Sequence, residues 1–339
     1  MTINLAVVGL GYWGPNLSRN IAAVQTARLS ALCDLNEAVL SSQARCYPGT
    51  LASTSFDAIC ADPTIDAIAI ATPVTTHFEI ARQALDAGKH VLVEKPLAAS
   101  SEEAASLCEV AERKGLVLMV DHVFLYSGAV RQLADLCRKG DLGTPLFVDS
   151  VRINLGLVQQ DISVVWDLAP HDVSIIGHLL GREPRAVLAV ASSSGETGLA
   201  TAAHLHLDYG EGLLASVNVS WLSPVKIRHL LVGGSRRSAL YNDLDQSEPL
   251  KIYDRGVDVA FDAEDKRQML ISYRSGDVLS PRVGREEPLR NVITHFVECI
   301  ATGATPLSGG KEGLSLVRVL EAADASLDKG GVFVEVAHG

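Results

Sequence analysis

Short apolar runs separated by helix-compatible stretches occupy the first 122 residues. The runs are INLAVVG at 3–9, LSALCD at 29–34, AIAIAT at 67–72, HVLVEK at 90–95 and GLVLMVDH at 115–122. Uninterrupted apolar runs of this length are typical of strands buried on both faces, and the stretches between them suit crossover helices. The pattern predicts a doubly wound α/β domain over residues 1–122, whose parallel strands end in polar residues at a ligand crevice.

The pattern changes after residue 122 to alternating apolar and polar positions. Segments such as LFVDSVRINL, ATAAHLHLDYG and LLASVNVSWL are separated by turn residues, which favours antiparallel strands. We predict an α+β domain over residues 123–339 with a large, mainly antiparallel open sheet. Helices are expected on one face, and the other face suits a subunit contact in a homodimer or homotetramer. Two late helical patterns, at about 286–302 and 311–328, precede a GVFVEV strand, and the sequence leaves open which domain they pack on.

Composition narrows the class of protein. The chain has 339 residues, 47% of them hydrophobic, which is enough for two domains with a sizeable core. No apolar run is long enough to span a membrane and no basic segment precedes the first one, so a soluble, cytoplasmic protein is expected. A formal charge of −11 opposes binding to nucleic acid. The six cysteines are scattered, which favours reduced thiols and no metal site.

A glycine motif follows the first apolar run directly. GLGYWG, from Gly9 to Gly14, fits the pattern G-x-G-x-x-G at a junction of strand and helix. In a Rossmann domain the first glycine permits the turn, Gly11 lets a pyrophosphate approach the backbone, and Gly14 allows close helix packing. The N-terminus of the following helix then points at the phosphates. A glycine turn without a ligand is the alternative, and the position of the motif favours a dinucleotide site.

An acidic residue ends the second apolar run. Asp34 lies twenty residues beyond Gly14, where a carboxylate accepts hydrogen bonds from the adenosine ribose and repels a 2′-phosphate. NAD is therefore favoured over NADP, although NADP stays possible because Arg45 could bind a phosphate. The alternative is that Asp34 caps a helix that starts near Asn36.

Glu94, Lys95 and Pro96 follow the apolar run HVLV. They fall at the carboxyl end of the parallel sheet, where a nicotinamide ring is expected. A partly desolvated lysine at this place can transfer a proton or hold a substrate hydroxyl, and Pro96 restricts Lys95 to an extended backbone. The alternative is an ordinary solvated lysine at the end of a strand.

The segment WDLAPHDVSIIGHLL contains the second candidate cluster. Pro170 suits a first helical turn, and Asp167 and His171 are four residues apart, so that a carboxylate could orient an imidazole. Oxidation of an alcohol requires removal of the hydroxyl proton, and imidazole exchanges protons near neutral pH. His171 is therefore the preferred acid and base. The alternative is a capping aspartate beside a histidine with a purely structural hydrogen bond.

Together, GLGYWGPN, EKP and the later D-x-x-x-H resemble the Gfo/Idh/MocA family of oxidoreductases, and the resemblance runs nearly end to end. It implies a Rossmann domain joined to an open antiparallel sheet, and oxidation or reduction of ring hydroxyls in sugars, sugar nucleotides or cyclitols. It also implies catalytic roles for Lys95, Asp167 and His171. The residues expected to bind the cofactor are Gly9, Gly11, Tyr12, Trp13, Gly14, Asp34, Ala71, Thr72, Pro73, His77, Glu94 and Lys95.

Within the family, GYWGPNLSRN, CDLN, HVLVEKPLA and WDLAPHDVSI are most similar to members encoded for sugar-nucleotide or polysaccharide biosynthesis, including dehydrogenases that act at the third sugar carbon. Inositol-type members more often have a glycine in the D-x-x-x-H turn, where this chain has Ala169 and Pro170, which argues against a free cyclitol. Substrate contacts are expected by motif position at Asn16, Lys95, Tyr126, Arg152, Asn154, Asp167, His171 and Asp172.

If the substrate carries a diphosphate or a ring, several further side chains are candidates to bind it. Arginine offers forked donors to phosphate oxygens, although basic residues that alternate along a strand usually form its solvated face. Trp166 and Trp221 could stack on a ring or fill the core. The phosphate candidates are Arg152, Lys226, Arg228, Arg236 and Arg237.

The leading hypothesis is an NAD(P)-dependent dehydrogenase or ketoreductase that exchanges a hydride with a CH–OH carbon of a sugar-like small molecule. The first alternative is an (amino)cyclitol dehydrogenase. The second is a hydrolase or lyase that uses bound NAD for transient oxidation, so that no NADH accumulates. A non-catalytic regulator on the same fold ranks last, because it would not need Lys95, Asp167 and His171 together.

Overall fold

A computed structural model describes residues 2–156, 158–159, 161–194, 198–261 and 269–337. These residues divide into two compact units. The first comprises residues 2–127 together with Glu286–Glu321, and the second comprises Gly128–Arg285 together with Ala322–Ala337. The helical segment at 286–302 therefore belongs to the first unit, whereas the segment at 311–328 is divided between the two units after Glu321. No helix among the described residues is long and apolar enough to cross a membrane.

The first unit contains a parallel six-stranded sheet flanked by helices. Its strand order is β3-β2-β1-β4-β5-β6, so the order reverses between β1 and β4 as in a Rossmann domain. The strands are β1 Ile3–Val8, β2 Ala27–Cys33, β3 Leu51–Ser53, β4 Ala67–Ile70, β5 His90–Glu94 and β6 Leu118–Asp121. The helices between them are α1 Gly14–Ala23, α2 Glu37–Ala44, α3 Phe56–Ala61, α4 His77–Asp86 and α5 Ser101–Lys114.

Five of these six strands coincide with the apolar runs of the sequence. Every residue of β4 is buried, as is nearly every residue of β1, because helices cover both faces of the sheet. Strand β3 was not predicted. It has only three residues, and none of them is buried, so it carries no apolar signal.

The second unit is built on a nine-stranded mixed sheet with α6 (Gly128–Arg138) and α7 (Val164–Leu180). The strand order is β14-β13-β12-β11-β7-β10-β9-β8-β15, and β7 and β10 form the one parallel pair among the described residues of this sheet. The strands are β7 Pro145–Leu155, β8 Ala186–Ser193, β9 Ala200–Asp208, β10 Leu214–Ser220, β11 Leu222–Gly234, β12 Ser238–Asn242, β13 Leu250–Phe261, β14 Met269–Leu279 and β15 Val334–Glu335.

The two faces of this sheet differ. Alternate residues such as Val148, Ala215 and Val217 are buried, and α7 lies over the central strands β7, β9 and β10. The opposite face leaves large apolar side chains partly exposed, among them Phe147 at 41% and Leu214 at 40%. The predicted mainly antiparallel open sheet is thus confirmed.

A late segment returns to the sheet of the first unit. Helix α8 (Pro288–Thr302) packs against α1, and α9 (Gly310–Asp328) follows it. Between the two helices, the Val120 backbone N–H donates to the Ser308 carbonyl at 2.7 Å, and the Ser308 hydroxyl donates to the Val120 carbonyl at 2.7 Å. Residues around Ser308 therefore cover the edge of β6.

Candidate active site

The glycine loop lies between β1 and α1, at the reversal of strand order. Gly9 has a φ of +85°, and a Cβ there would lie 2.7 Å from the Ala71 carbonyl oxygen. A Cβ on Gly14 would lie 2.0 Å from the Gly9 carbonyl oxygen. Gly11 is different, because a Cβ there would meet no described atom within 4 Å. Packing therefore explains Gly9 and Gly14, whereas the open space at Gly11 fits the close approach of a pyrophosphate.

The first turn of α1 also fits a phosphate. No side chain among the described residues caps it, and Pro15 stands at its start. Tyr12 and Trp13 stack on each other with ring centroids 6.5 Å apart, and Tyr12 is 92% exposed. Asn16 lies in the same turn, where its backbone N–H donates to the Trp13 carbonyl. The loop thus presents backbone, an aromatic ring and a helix N-terminus at one edge of the sheet.

Asp34 follows β2 and holds the glycine loop from the side. Its Oδ2 accepts the Leu10 backbone N–H at 2.6 Å, and its Oδ1 accepts the Asn36 N–H at 2.8 Å. The cap of α2 is Asn36 itself, whose side chain accepts the N–H groups of Ala38 and Val39. The alternative role of Asp34 as the helix cap is therefore wrong. Because each carboxylate oxygen has two acceptor positions, Asp34 keeps capacity for ribose hydroxyls.

The loop after β4 is tied to the loop after β5 by one buried histidine. His77 Nε2 lies 2.9 Å from the Thr72 carbonyl oxygen, and its Nδ1 lies 2.8 Å from the Pro96 carbonyl oxygen. Burial lowers the pKa of His77, and a neutral imidazole can donate to only one of these carbonyls at a time. The side chain is 1% exposed, so it positions Ala71, Thr72 and Pro73 on one side and the Lys95–Pro96 segment on the other.

Two carboxyl groups meet at the carboxyl ends of β5 and β6. Glu94 and Asp121 are register partners at the ends of the two adjacent strands. Trp13 Nε1 donates to Asp121 Oδ2 at 2.9 Å. Desolvation, followed by the repulsion of Asp121, raises the pKa of Glu94 well above its usual range, and desolvation raises the pKa of Asp121 to about 6. Lys95 is the cation whose charge acts on both.

His122 comes next to this pair along the chain. Its side chain is 2% exposed, and neither ring nitrogen has a hydrogen-bond partner among the described residues. Burial, followed by the charge of Lys95, lowers the pKa of His122 to about 3, so the ring is neutral. The uncharged ring of His122 therefore directly follows β6, just as Lys95 directly follows β5.

The second unit carries Asp167 and His171 on α7. Trp221, at the junction of β10 and β11, donates its indole N–H to Asp167 Oδ2 at 2.9 Å. The adjacent Trp166 instead donates to Asp324 at 2.7 Å. Both indoles thus bind carboxylates of their own unit. Pro170 was predicted to lie in a first helical turn, and this prediction is wrong. Pro170 lies inside α7, because the helix already begins at Val164 with two buried valines.

Three residues expected to contact substrate are engaged inside their own units. Arg152 Nε donates to Asp172 Oδ2 at 2.7 Å, and both side chains are 3% exposed. Ser150 Oγ adds a hydrogen bond of 2.8 Å to Asp172. Tyr126 is completely buried, and its hydroxyl lies 3.1 Å from Ser308 Oγ. In this conformation none of the three presents an accessible polar group to a ligand, and they position β7, α7 and the edge of β6.

Asn154 and the phosphate candidates are placed differently. Asn154 Oδ1 is buried without a hydrogen-bond partner among the described residues, which leaves it available to a donor. Arg228 lies beside Arg152 in the sheet register and 3.6 Å from Asp243 Oδ2. The other three candidates are exposed at the surface, and they are Lys226, Arg236 and Arg237.

The sequence analysis did not single out Asp121, and it considered Trp221 only for stacking on a ring or filling the core, without its contact to Asp167. Asp121 occupies the strand-end position that follows from the run LVLMVDH, so the rule that polar residues end the strands of such a sheet could have found it. Nothing in the sequence pairs Trp221 with Asp167, because the two are 54 positions apart and meet only through the sheet.

A glycine-rich loop after β1, an acidic residue after β2 and a lysine directly after β5 are the features of a dinucleotide-dependent oxidoreductase. Residues 3–122 match the model of the oxidoreductase family with an NAD-binding Rossmann fold, Gfo/Idh/MocA. Residues 130–239 match the C-terminal domain of the same family. The chain belongs to the Gfo/Idh/MocA family, and its N-terminal domain is an NAD-binding Rossmann domain.

Individual relatives agree with this assignment. The chain is 29% identical over 295 residues to UDP-N-acetylglucosamine 3-dehydrogenase of Acidithiobacillus ferrooxidans, with 85% of this chain and 88% of the relative covered. A solved structure of that enzyme superposes with a TM-score of 0.81 at 24% identity, covering 97% of this chain and 99% of the other. GenD2 from gentamicin A biosynthesis, solved in complex with NAD, gives a TM-score of 0.83 at 24% identity, covering 99% and 97%. Both structural likenesses concern the fold.

Proposed function

We propose that the chain is an NAD(H)-dependent dehydrogenase that acts on a ring hydroxyl of a sugar nucleotide, at the third sugar carbon. The observation that carries this proposal is the lysine at the end of β5, held beside the cofactor loop by His77, which bridges the Thr72 and Pro96 carbonyls. The similarity to UDP-N-acetylglucosamine 3-dehydrogenase over 85% of the chain supports the substrate class and the carbon.

In this proposal the glycine loop and Asp34 bind the cofactor. The open space at Gly11 and the first turn of α1 accept the pyrophosphate, and the free acceptor positions of Asp34 take the adenosine ribose hydroxyls. A carboxylate at this position disfavours the 2′-phosphate of NADP. When bound, the nicotinamide supplies the hydride acceptor or donor.

The protein side of the reaction is proton transfer. Lys95 and His171 exchange the proton of the reacting hydroxyl, and Asp167 orients His171 from one helical turn away. Trp221 fixes the Asp167 carboxylate through its indole N–H. Asn154 is the proposed polar contact to the substrate in the second unit, because its carbonyl oxygen has no partner among the described residues.

The test is absorbance at 340 nm with NAD or NADP against UDP-sugars, sugar phosphates and inositols. We expect NAD reduction with a UDP-sugar, and a loss of about 10²- to 10⁴-fold in Lys95→Ala and His171→Ala. Two control variants should keep full activity. Lys139→Ala removes an exposed lysine, and His178→Ala removes a histidine two turns further along α7.

The other outcomes separate the alternatives. Activity only with inositols would assign the chain to the cyclitol dehydrogenases. Substrate turnover without accumulation of NADH would assign it to the hydrolases and lyases that oxidise transiently. Activity that survives in Lys95→Ala and His171→Ala would contradict the proposed roles of these residues.

We also propose that the chain forms a homodimer or homotetramer through the open face of the nine-stranded sheet. Phe147 and Leu214 on the neighbouring strands β7 and β10, and Val190 on β8, are each at least 40% exposed on this face, which is unusual for a surface that stays in water. A monomer in sedimentation at high concentration would contradict this assembly. The cytoplasmic location remains a prediction from the sequence.

A further inference from the structure

Two arginines of the second unit leave the sheet side by side but are held differently. Arg152 of β7 and Arg228 of β11 are register partners in an antiparallel pair, so both side chains lie on one face of the sheet. The Arg152 guanidinium donates to both carboxylate oxygens of Asp172 on α7, at 2.7 and 3.2 Å. The charge of Arg152 is therefore paired within the protein, and Arg228 is the cation beside it.

Arg228 has no comparable hydrogen bond at its Nε. This nitrogen is buried, and it has no acceptor among the described residues. The ion pair of Arg228 with Asp243 is loose, because Asp243 Oδ2 lies 3.6 Å from Nη1, beyond hydrogen-bond distance. Asp243 instead accepts the Tyr241 hydroxyl at 2.9 Å through its Oδ1. A buried N–H without an acceptor costs free energy, and a bound acceptor would recover that cost.

The contact with Asp243 also leaves the other edge of the guanidinium available. Nη1 lies on the side of the guanidinium away from the Nε hydrogen, and Asp243 occupies only that side. Nε and Nη2 form the parallel two-donor edge that binds phosphate and carboxylate oxygens. The side chain is 28% exposed, so a ligand can approach it from solvent. Arg228 is thus suited to a bidentate contact with an anion.

A hydrogen-bond acceptor lies close to this donor. Asn154 is two positions beyond Arg152 on β7 and therefore lies on the same face, and its Oδ1 is buried with no donor among the described residues. It stands opposite residues 223–226 of β11, where the register shifts between Leu222 and Ile227. Such bulges recur beside active sites, where they interrupt the pairing of strands. The bulge therefore leaves Asn154 without a paired neighbour on β11.

Asn154 connects this region to the proposed catalytic carboxylate. A Cβ added to Gly156 would lie 3.1 Å from Asn154 Nδ2 and 2.8 Å from Trp221 Cδ1, so these two side chains border the same small space. Trp221 donates its indole N–H to Asp167 Oδ2 at 2.9 Å. The second unit thus places an anion-binding edge, a free amide oxygen and Asp167 in one neighbourhood.

We propose that Arg228 binds the diphosphate of the sugar nucleotide through its Nε and Nη2 edge, while Asn154 Oδ1 accepts a hydroxyl or amide N–H of the sugar. This assignment rests on the proposed function and deepens it, because a free sugar or a cyclitol has no anion for Arg228. Asp243 acts against the ligand, since its carboxylate repels a phosphate beside the same guanidinium. Arg228 and Asp243 together set the preference between charged and neutral substrates.

The subsite can be measured without turnover. UDP is titrated into the full-length protein in a calorimeter, with NAD present so that the dinucleotide site is already filled. We expect Arg228→Met to raise the Kd of UDP about 10- to 100-fold, the value of hydrogen bonds to a charged group. Asp243→Asn should lower the Kd of UDP severalfold, because it removes a negative charge from beside the ligand. The control is Arg138→Met, which removes an exposed arginine that is paired with Asp135 on α6.

The opposite signs of these two effects separate ligand binding from a structural role. If the contact between Arg228 and Asp243 only stabilised the fold, both substitutions would weaken UDP binding alike, and that result would overturn the subsite. Arg228→Lys keeps the charge without the two-donor edge, so its Kd should fall between those of the wild type and Arg228→Met. This variant also covers the case in which Arg228→Met does not fold. Binding of glucose 1-phosphate but not of UDP would overturn the assignment to a nucleotide diphosphate.

Kinetics with a UDP-sugar distinguishes the subsite from the proposed function. Arg228→Met should raise KM about 10- to 100-fold and change kcat by less than about twofold, because Arg228 binds the diphosphate and not the reacting carbon. A KM equal to that of the wild type would overturn the subsite and leave the dehydrogenase standing. UDP binding that depends on Arg228, without NAD reduction by any UDP-sugar, would defeat the proposed function and leave the subsite standing. A wild-type protein that does not bind UDP would overturn the subsite.

Discussion

Asp121 in the first unit and Asp172 in the second are equally hidden from water but are held in opposite ways. Asp121 is 1% exposed and Asp172 is 2% exposed. Asp172 accepts two hydrogen bonds from the Arg152 guanidinium and one from the Ser150 hydroxyl. Asp121 accepts one indole N–H and faces a second acid, Glu94. Burial alone therefore does not decide what a carboxyl does, because the number and charge of its donors do.

The difference separates a fixed charge from a carboxyl group with a raised pKa. The pair of Arg152 and Asp172 joins β7 to α7 beside His171, and it gives that helix a defined position. Glu94 and Asp121 lie at the ends of β5 and β6, and desolvation raises the pKa of both carboxyl groups. The two units thus contribute unlike parts to the proposed chemistry.

The largest effect should come from breaking the ion pair. Arg152→Met leaves Asp172 buried without its cation, which should lower the free energy of unfolding by about 3–5 kcal/mol. Urea unfolding measures this loss. The double variant Arg152→Met with Asp172→Leu should recover most of it, because no uncompensated charge remains. If the single variant were as stable as the wild type, the contact would not be structural.

A smaller effect on the free energy of unfolding is expected at Asp121, and it depends on pH. Its pKa is raised to about 6 in the folded chain, so the folded state binds more protons than the unfolded state. Protonation of Asp121 contributes about 3 kcal/mol to the free energy of unfolding. This contribution is fully present below about pH 4 and is lost as the pH rises through about 6. Asp121→Asn should therefore gain stability relative to the wild type between pH 4 and pH 8.

Unfolding midpoints in urea at several pH values test this trend. Asp324→Asn is the control, since it removes a carboxylate that likewise accepts an indole N–H, that of Trp166. A stability difference for Asp121→Asn that is constant across this pH range would contradict the raised pKa.

The smallest effect concerns the tryptophans beside the helix of the second unit. Trp221→Phe keeps an aromatic ring, smaller than the indole, but removes the N–H that binds Asp167, which should lower kcat about tenfold, the value of one hydrogen bond to a charged group. Trp166→Phe removes the same kind of contact one residue before Asp167 and should leave kcat unchanged. Equal losses in both variants would show that α7 packing matters and that the Asp167 contact does not.

The sequence predicted those parts of the molecule that depend on local pattern. Buried runs located five of the six parallel strands, and the glycine spacing located a turn that Gly9 and Gly14 indeed require. Strand β3 was not predicted, because its residues are not buried. Contacts between positions far apart in the sequence were not predicted either. Arg152 and Asp172 look like ligand residues in sequence, and only the packing of α7 on β7 shows that they bind each other.

The roles of the site residues divide in the same manner. The family resemblance predicts that His77 belongs to the cofactor loop, and the structure shows that its buried ring bridges the Thr72 and Pro96 carbonyls. Asp121 gains its importance from Glu94 and Trp13, which lie on two other segments of the chain. The residue pattern of one segment cannot predict a contact between segments, because that contact depends on which strands become neighbours in the sheet.

The strand β6 receives its cover from a residue 188 positions later, Ser308. During synthesis at 5–20 residues per second, the ribosome therefore needs roughly 10–40 s between making the two partners. Throughout that interval the nascent Rossmann sheet has an open edge with unpaired amide and carbonyl groups, a template for pairing with other chains. A chain that stops before residue 308 would therefore lack this cover over β6.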